Sequence, residues 1–344
     1  MITLAIESSC DESAIAVFKE GEGIIGEWVH TQIALHQVYG GVVPGLAARE
    51  HLTNFGPLLQ GALRECPEMR QANRVAVTYG PGLAPCLALG IGMAKAISIA
   101  WEIPVLGVNH LRGHAFSPFL PIYQQDPKKF KQVFESLLPH LGLIVSGGNT
   151  LLFKINTDSS INLLAQTVDD AAGEALDKGA KLLGMPYPGG PLVEQQALKG
   201  NKKAYRFPRA FPDASDMKFS FSGLKTSLRY KLESMNQDEI KNSMADICAC
   251  YQDAVIGQLL TKTKQGLNQE TFKSLGISGG VSNNKELRNT FLKLAESHDI
   301  PLCLAEPKHT GDNASMVAFA AHIDPAGLNH TGLNLSFAPS LPLA

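Results

Sequence analysis

LAIESSCDESAIAVF, residues 4–18, is an apolar run, a turn of small polar residues and a second apolar run, the pattern of a β-hairpin. HLGLIVSGGNTLLFKI, residues 140–155, has the same shape. Each is followed by a further apolar strand that ends in glycine, RVAVTYGPG at 74–82 and LGISGGVSNN at 275–284. A strand–turn–strand and then a strand–glycine–helix, met twice at long spacing, predicts a duplicated α/β lobe. The bland alternative is that any α/β chain offers such segments.

Length agrees with duplication, because 344 residues suit two packed lobes better than one core. The expected division is residues 1–135 with 320–344 as an N-terminal lobe and 136–319 as a C-terminal lobe, joined by a polar connection at 123–132. An irregular, basic insertion is expected near 188–231, helical periodicity at 244–267, and an aperiodic tail at the end. Apolar residues make up 44% and charged residues 18%, an ordinary globular composition, and the net charge of −2 excludes a generally basic nucleic-acid coat. The least polar stretch, 82–101, is long enough to span a bilayer, but its Gly and Ala content and Lys95 favour a helix buried on a sheet, so no membrane contact is expected. Six cysteines without a C-x-x-C pair, and no basic leader before an apolar segment, point to reduced thiols and a cytoplasmic location.

His110-Leu-Arg-Gly-His114 is the sharpest feature for chemistry. In a helix, positions i and i+4 share a face, with Cβ atoms about 5–6 Å apart, close enough to hold one metal. Asn109 is a good N-cap, and the IPVLGV before it reads as a strand. Leu111 stands where a zinc peptidase needs its glutamate, which disfavours a protease. A third ligand is available in Asp312, within HTGDNASM, although capping a helix also explains an aspartate there. Two histidines and one carboxylate leave coordination positions open, as Fe(II) sites do, with Zn(II) the alternative.

No P-loop and no dinucleotide fingerprint is present. Ser146-Gly147-Gly148-Asn149, Ser278-Gly279-Gly280 and Pro188-Gly189-Gly190 form turns whose N–H groups can cradle phosphate oxygens. With Ser8, Ser9, Asp11 and Glu12 of the first hairpin they resemble a nucleotide cleft. Asp170, Glu174 and Asp177 follow one helical face, where the i,i+4 pairs Glu174–Lys178 and Asp177–Lys181 offer an equally good structural account. Residues 199–231 hold nine Lys or Arg against two Asp, interleaved with six aromatic residues, a pattern suited to RNA contact. Phe219 and Phe221 alternate there like a core strand.

The motifs IESSCDES, HQVYGGVVP, VTYGPGLAPCLALG, NHLRGH with SPFL, LIVSGGNT, DDAAGEALDKGAKLLGMPYPGGP, FSFSGLKTSL, GGVSNNKELR and GDNASM run collinearly along nearly the whole chain. Together they resemble the tRNA threonylcarbamoyladenosine transferases, once misnamed O-sialoglycoprotein endopeptidases. The resemblance implies an actin-like ATPase, sugar-kinase-like (ASKHA) α/β fold of two duplicated RNase H-like lobes around a nucleotide cleft. It implies threonylcarbamoyl-AMP as donor and the adenosine beside the anticodon of tRNA as acceptor, with an inactive paralogue and a small P-loop ATPase as partners. By position, His110, His114 and Asp312 match the family's metal ligands. Ile144, Val145, Ser146, Gly147, Gly148, Asp177, Gly190 and Asn284 match its adenylate-binding positions, and Glu194 joins them. Asp11 and Glu12 are the candidates for a general base.

Three departures stand in these motifs: Arg112 and Gly45 where the family usually has Glu, and Asn149 where it has His. Arg112 is expected to reverse a charge beside the metal histidines, and Asn149 to remove an imidazole contact. They keep open a second reading, a divergent non-catalytic or regulatory paralogue of the same complex. A small-molecule carbamoyltransferase or kinase on the same fold is a third.

Overall fold

A computed structural model describes residues 1–213 and 216–344. They form two compact units, residues 1–137 with 304–344 and residues 138–303. The second boundary therefore falls well before the expected 319/320. The reason is the helix Ala314–Ile323, whose Phe319 packs on Phe18 of the first sheet, with ring centroids 6.2 Å apart.

The first unit is built on β1 (Ile2–Glu7), β2 (Glu12–Lys19), β3 (Gly23–Thr31), β4 (Arg74–Gly80) and β5 (Val105–Asn109), in the order β3-β2-β1-β4-β5. The expected hairpin is the antiparallel pair β1–β2, with Leu4 opposite Val17 and Ile6 opposite Ile15. β4 joins β1 in parallel, Ala5 beside Ala76. Every residue of β1 is buried, because this sheet is covered on both faces and so reads as an unbroken apolar run. Leu4, Ile6, Ile15, Val17, Val75 and Val77 meet Phe55 and Ala62 of the helix Pro44–Glu65 and Ile91, Ala94 and Ile97 of the helix Ala84–Trp101. That second helix is long and apolar enough to cross a membrane by length and composition, yet its apolar side is spent on this core.

The stretch at 123–132 is not the free polar connection expected of it. Tyr123 and Phe130 are buried in the first unit, 5.1 Å apart and in contact with Phe319, so its apolar residues hold it down. The aperiodic C-terminal stretch does pack as a tail. Ala338 N–H donates to the Tyr79 carbonyl at 2.7 Å, Asn329 exchanges two hydrogen bonds with Gly107, and Leu335 is buried.

The second unit repeats the plan with β6 (His140–Val145), β7 (Thr150–Ile155), β8 (Ile161–Gln166), β9 (Ser274–Ser278) and β10 (Leu302–Leu304). Its order, β10-β9-β6-β7-β8, is the first sheet's order read from the other edge, with β6–β7 the antiparallel hairpin and β9 parallel to β6. The helix expected at 244–267 runs from Gln237 to Gln269. Its first turns bury no residue before Ile247, and the helix is started by a capping box between Asn236 and Glu239. Of the segment expected at 188–231, residues 214–215 lie outside the described residues, and among the described ones the helices Gly190–Ala197 and Ser222–Glu233 stand at its ends. All six cysteines are free thiols, and burial pushes those of Cys248 and Cys303 up to about 12.

Within the first unit, Glu27 on β3 ties the helix Ala314–Ile323 to the sheet edge. It accepts hydrogen bonds from His309 Nε2 and Ser315 Oγ, both at 2.7 Å, and pairs with Lys308. Burial alone would raise the Glu27 carboxyl, but these hydrogen bonds prevail and hold it at about 2. A depressed carboxylate stabilises the fold above its ordinary value of 4.5, and that stabilisation is lost as pH falls towards 2. Allowing for its partial exposure, the expected loss is on the order of 1–2 kcal/mol. Denaturant titrations at pH 7 and pH 3 should show it in the wild type and a flatter response in Glu27→Gln; equal slopes would discount the clasp.

Candidate metal centre and nucleotide turns

β5 ends at Asn109, and the helix His110–Phe116 starts on the next residue. The Asn109 side chain accepts from the N–H groups of Leu111 and Arg112, which is the cap expected of it. One helical turn then separates the two histidines, and their rings stand 4.7 Å apart at right angles. Asp312 meets them from the loop before the helix Ala314–Ile323. His110 Nε2 lies 3.4 Å and His114 Nε2 3.2 Å from the same oxygen, Asp312 Oδ1.

The three ligand atoms all lie within 4.8 Å of one another, and both histidines are buried. Electrostatics match the geometry. Burial would favour neutral groups, yet the Asp312 carboxyl is held far below the ordinary range by His110 and His114. His110 is pushed well up against its own burial by the Asp312 and Glu7 carboxylates on its two sides. Burial keeps His114 below its usual value, in the neutral form that ligates. Two imidazole nitrogens and one carboxylate oxygen within 4.8 Å of one another are a donor set that fits one divalent cation.

Asp11 lies in the turn between β1 and β2, and Glu12 is the first residue of β2. Asp11 is buried, and Glu12 accepts from Thr31 Oγ at 3.3 Å. Burial first, and then the charges of Asp312 and Asp11, push the Glu12 carboxyl well above its ordinary value. The excess of negative charge around the two histidines is what a cation would relieve.

Arg112 does not act as the sequence implied. Its guanidinium turns away from the histidines and pairs through Nε and Nη2 with both oxygens of Asp324, in a site where the two side chains are 15% and 5% exposed. The charge expected beside the metal ligands is therefore neutralised at the base of the tail. Gly45, at the start of the helix Pro44–Glu65, faces open space, and Asn149 donates its backbone N–H to Ser146 Oγ in the β6–β7 turn.

In the second unit, residues 144–148 form the end of β6 and the turn after it. Gly173, at the start of the helix Ala172–Leu182, closes on this turn, where a Cβ would come within 2.6 Å of the Ser146 oxygen. Asp177 Oδ1 accepts from the N–H groups of Gly189 at 2.7 Å and Gly190 at 2.9 Å, so it holds the Pro188-Gly189-Gly190 turn. Glu194 accepts from Lys285 N–H at 2.7 Å, and Asn284 caps the helix Lys285–Ser297 while donating to Gln252. Lys178 bridges Asp170 and Glu174, which gives that helix face a structural explanation. Gly279 is tied to β6: its φ of 85° and ψ of 159° belong to a region that only glycine occupies comfortably, and a Cβ would overlap the Val145 carbonyl. Gly279→Ala should therefore lose about 3 kcal/mol or more of stability. A melting temperature equal to the wild type's would contradict that reading.

The basic–aromatic segment divides. Phe219 and Phe221 are fully buried and stack 6.3 Å apart, so these two rings are core, and the partly buried Phe207 packs on Tyr251. Lys202 and Arg209 pair with Glu286 and Asp253, and Lys231 lies 4.4 Å from the Tyr205 ring. Lys199, Lys203, Arg206, Lys218, Lys225 and Tyr230 remain exposed.

Two residues of the centre escaped the sequence reading, Glu7 and Thr78. Glu7 is fully buried, and the signal available beforehand was a charge closing the otherwise apolar run of β1.

The family described as tRNA N6-adenosine threonylcarbamoyltransferase (TsaD) matches residues 23–319. Among solved structures, T. kodakarensis HypF is 14% identical, with a TM-score of 0.60 over 92% of this chain and 47% of that one, so the chain spans about half its length. The component A of (R)-2-hydroxyglutaryl-CoA dehydratase from Acidaminococcus fermentans is 13% identical, with a TM-score of 0.53 over 95% and 99% of the two chains. The activator of the 2-hydroxyisocaproyl-CoA dehydratase from Clostridium difficile, solved with ADPNP bound, is 13% identical, with a TM-score of 0.51 over 93% of each chain. At these identities the likeness is one of fold, the actin-like ATPase type in which a single strand order occurs twice.

Proposed function

The chain belongs to the tRNA N6-adenosine threonylcarbamoyltransferase family, and from that premise we propose that it moves the threonylcarbamoyl group of threonylcarbamoyl-AMP to the exocyclic amine of the adenosine 3′ of the anticodon in ANN-decoding tRNAs. The observation that carries the reading is the family match over residues 23–319, which takes in His110, His114 and Asp312 and all the adenylate-binding candidates. The closeness of those three ligand atoms to one another supports it.

The reaction joins the amine nitrogen to the carbamoyl carbon, breaks the bond from that carbon to the phosphate oxygen, and releases AMP and one proton. A divalent cation held by His110, His114 and Asp312, Fe(II) by the donor set with Zn(II) as the alternative, would polarise the carbamoyl or phosphate oxygens as a Lewis acid. Asp11 and Glu12 are the two candidates to take the proton that the amine loses, and burial raises the Glu12 carboxyl. The adenylate is assigned to residues 144–148 with Asp177, Gly190, Glu194 and Asn284. Asp177 and Glu194 already fix the Gly189–Gly190 turn and the start of the helix Lys285–Ser297, so they would act partly by shaping these turns. The exposed Lys199, Lys203, Arg206, Lys218 and Lys225 supply the local positive field that tRNA backbone contact needs on a chain of net charge −2. An inactive paralogue and a small P-loop ATPase are the proposed partners, and the cytoplasm the proposed location.

The non-catalytic reading rested on the three departures, and Arg112 no longer supports it, since its charge is spent on Asp324. The deciding experiment replaces the native enzyme of a depleted bacterial host with this gene and quantifies threonylcarbamoyladenosine in digested tRNA by mass spectrometry. Restoration of the nucleoside is expected. Soluble protein with co-expressed partners and no restoration would reject the transferase reading.

A further inference from the structure

Glu7 lies at the end of β1 with no solvent exposure, and both of its carboxylate oxygens face donors. Oε1 accepts from Ser9 N–H at 2.5 Å; Oε2 accepts from Thr78 Oγ at 2.5 Å and lies 3.1 Å from His110 Nδ1. An ionised carboxylate only accepts hydrogen bonds, so the nitrogen facing it must carry a proton. Ser9 Oγ also stands 3.1 Å from Nδ1, but a hydroxyl can donate or accept and imposes neither tautomer. With the Nδ1 proton held by Glu7, Nε2 is the nitrogen left to exchange its proton for a cation, and it faces Asp312 Oδ1 at 3.4 Å.

We infer that Glu7 is a positioning residue of the metal centre, fixing His110 as the Nδ1–H tautomer so that Nε2 is free to ligate. The inference rests on the reading of His110, His114 and Asp312 as metal ligands. It assigns a role to a buried charge that β1 would otherwise carry at a loss, since an apolar residue would suit a fully covered strand better. A carboxylate behind a metal-binding imidazole raises its basicity and holds its plane, and removing such a partner commonly weakens metal binding about 10–100-fold.

Glu7→Gln separates this role from simple packing. The amide can keep its carbonyl on the Ser9 N–H and turn its NH2 to His110 Nδ1, while Thr78 Oγ switches to accepting. Every group is then satisfied, but Nδ1 has become an acceptor and the proton sits on Nε2, against the metal. The opposite orientation sets the NH2 against the Ser9 N–H, two donors face to face. Titration of the full-length protein with Co(II), followed by its visible absorption and by calorimetry, should show affinity reduced about 10–100-fold in Glu7→Gln. Equal binding by wild type and Glu7→Gln would overturn the inference, whereas no Co(II) uptake by the wild type would overturn the metal reading beneath it. Should Glu7→Gln fail to fold, long-range proton–nitrogen correlation of Zn(II)-loaded wild type decides. Its expected result is a protonated Nδ1 on His110, and metal on Nδ1 would refute the inference.

Discussion

His110→Ala is expected to return threonylcarbamoyladenosine to the level of the depleted host, in cells where the unaltered chain restores it. The substitution takes one of three donors from a set whose members lie within 4.8 Å of one another. It also leaves Glu7 buried without its imidazole partner. The first effect removes the cation's hold, and the second leaves an uncompensated carboxylate. The loss should therefore exceed the roughly 10–100-fold typical of changes one shell further out. Asp312→Asn should behave similarly, because it removes the charge that both imidazoles face. Tm, recorded alongside, distinguishes a lost centre from a lost fold. Full restoration of the nucleoside by soluble His110→Ala would show that the reaction does not need this centre.

The second large effect concerns the base of the tail. Asp324→Ala should destabilise the protein by about 3–5 kcal/mol, because it leaves the Arg112 guanidinium buried without its carboxylate. Replacing both partners together, Arg112→Met with Asp324→Leu, should recover most of that loss, since a buried ion pair contributes little beyond an apolar pair of similar volume. Arg112→Glu is the more telling variant, because it introduces the family's usual residue. Here it would set a second carboxylate against Asp324, so it should lower stability without strengthening metal binding. Denaturant titration of the wild type and these three variants measures each loss. A loss under about 1 kcal/mol for Asp324→Ala would mean that the pair is solvated and its burial is not felt.

These two sites show where sequence reading carries and where it stops. The hairpins at 4–18 and 140–155, the strand-to-helix junction at Asn109 and the H-x-x-x-H face were legible because each is local. A period of two, an N-cap and an i,i+4 spacing are fixed within a few residues. Phe219 and Phe221 were legible as core for the same reason. The long helix was only half legible, since its first turns bury no residue before Ile247 and are started by the Asn236–Glu239 capping box.

By itself the sequence determined the duplicated α/β plan, the two histidines on one helical face, and, through its collinear motifs, the family. Tertiary structure alone decided what lies beside what across long separations. It set Asp312 against histidines about two hundred positions earlier, placed Glu7 and Thr78 behind His110, sent Arg112 to Asp324, and returned the chain to its first unit at residue 304. The physical reason is that burial and charge pairing belong to the packed chain. A carboxylate next to a turn reads as a helix cap until the fold removes its water and leaves a particular imidazole or guanidinium as its partner.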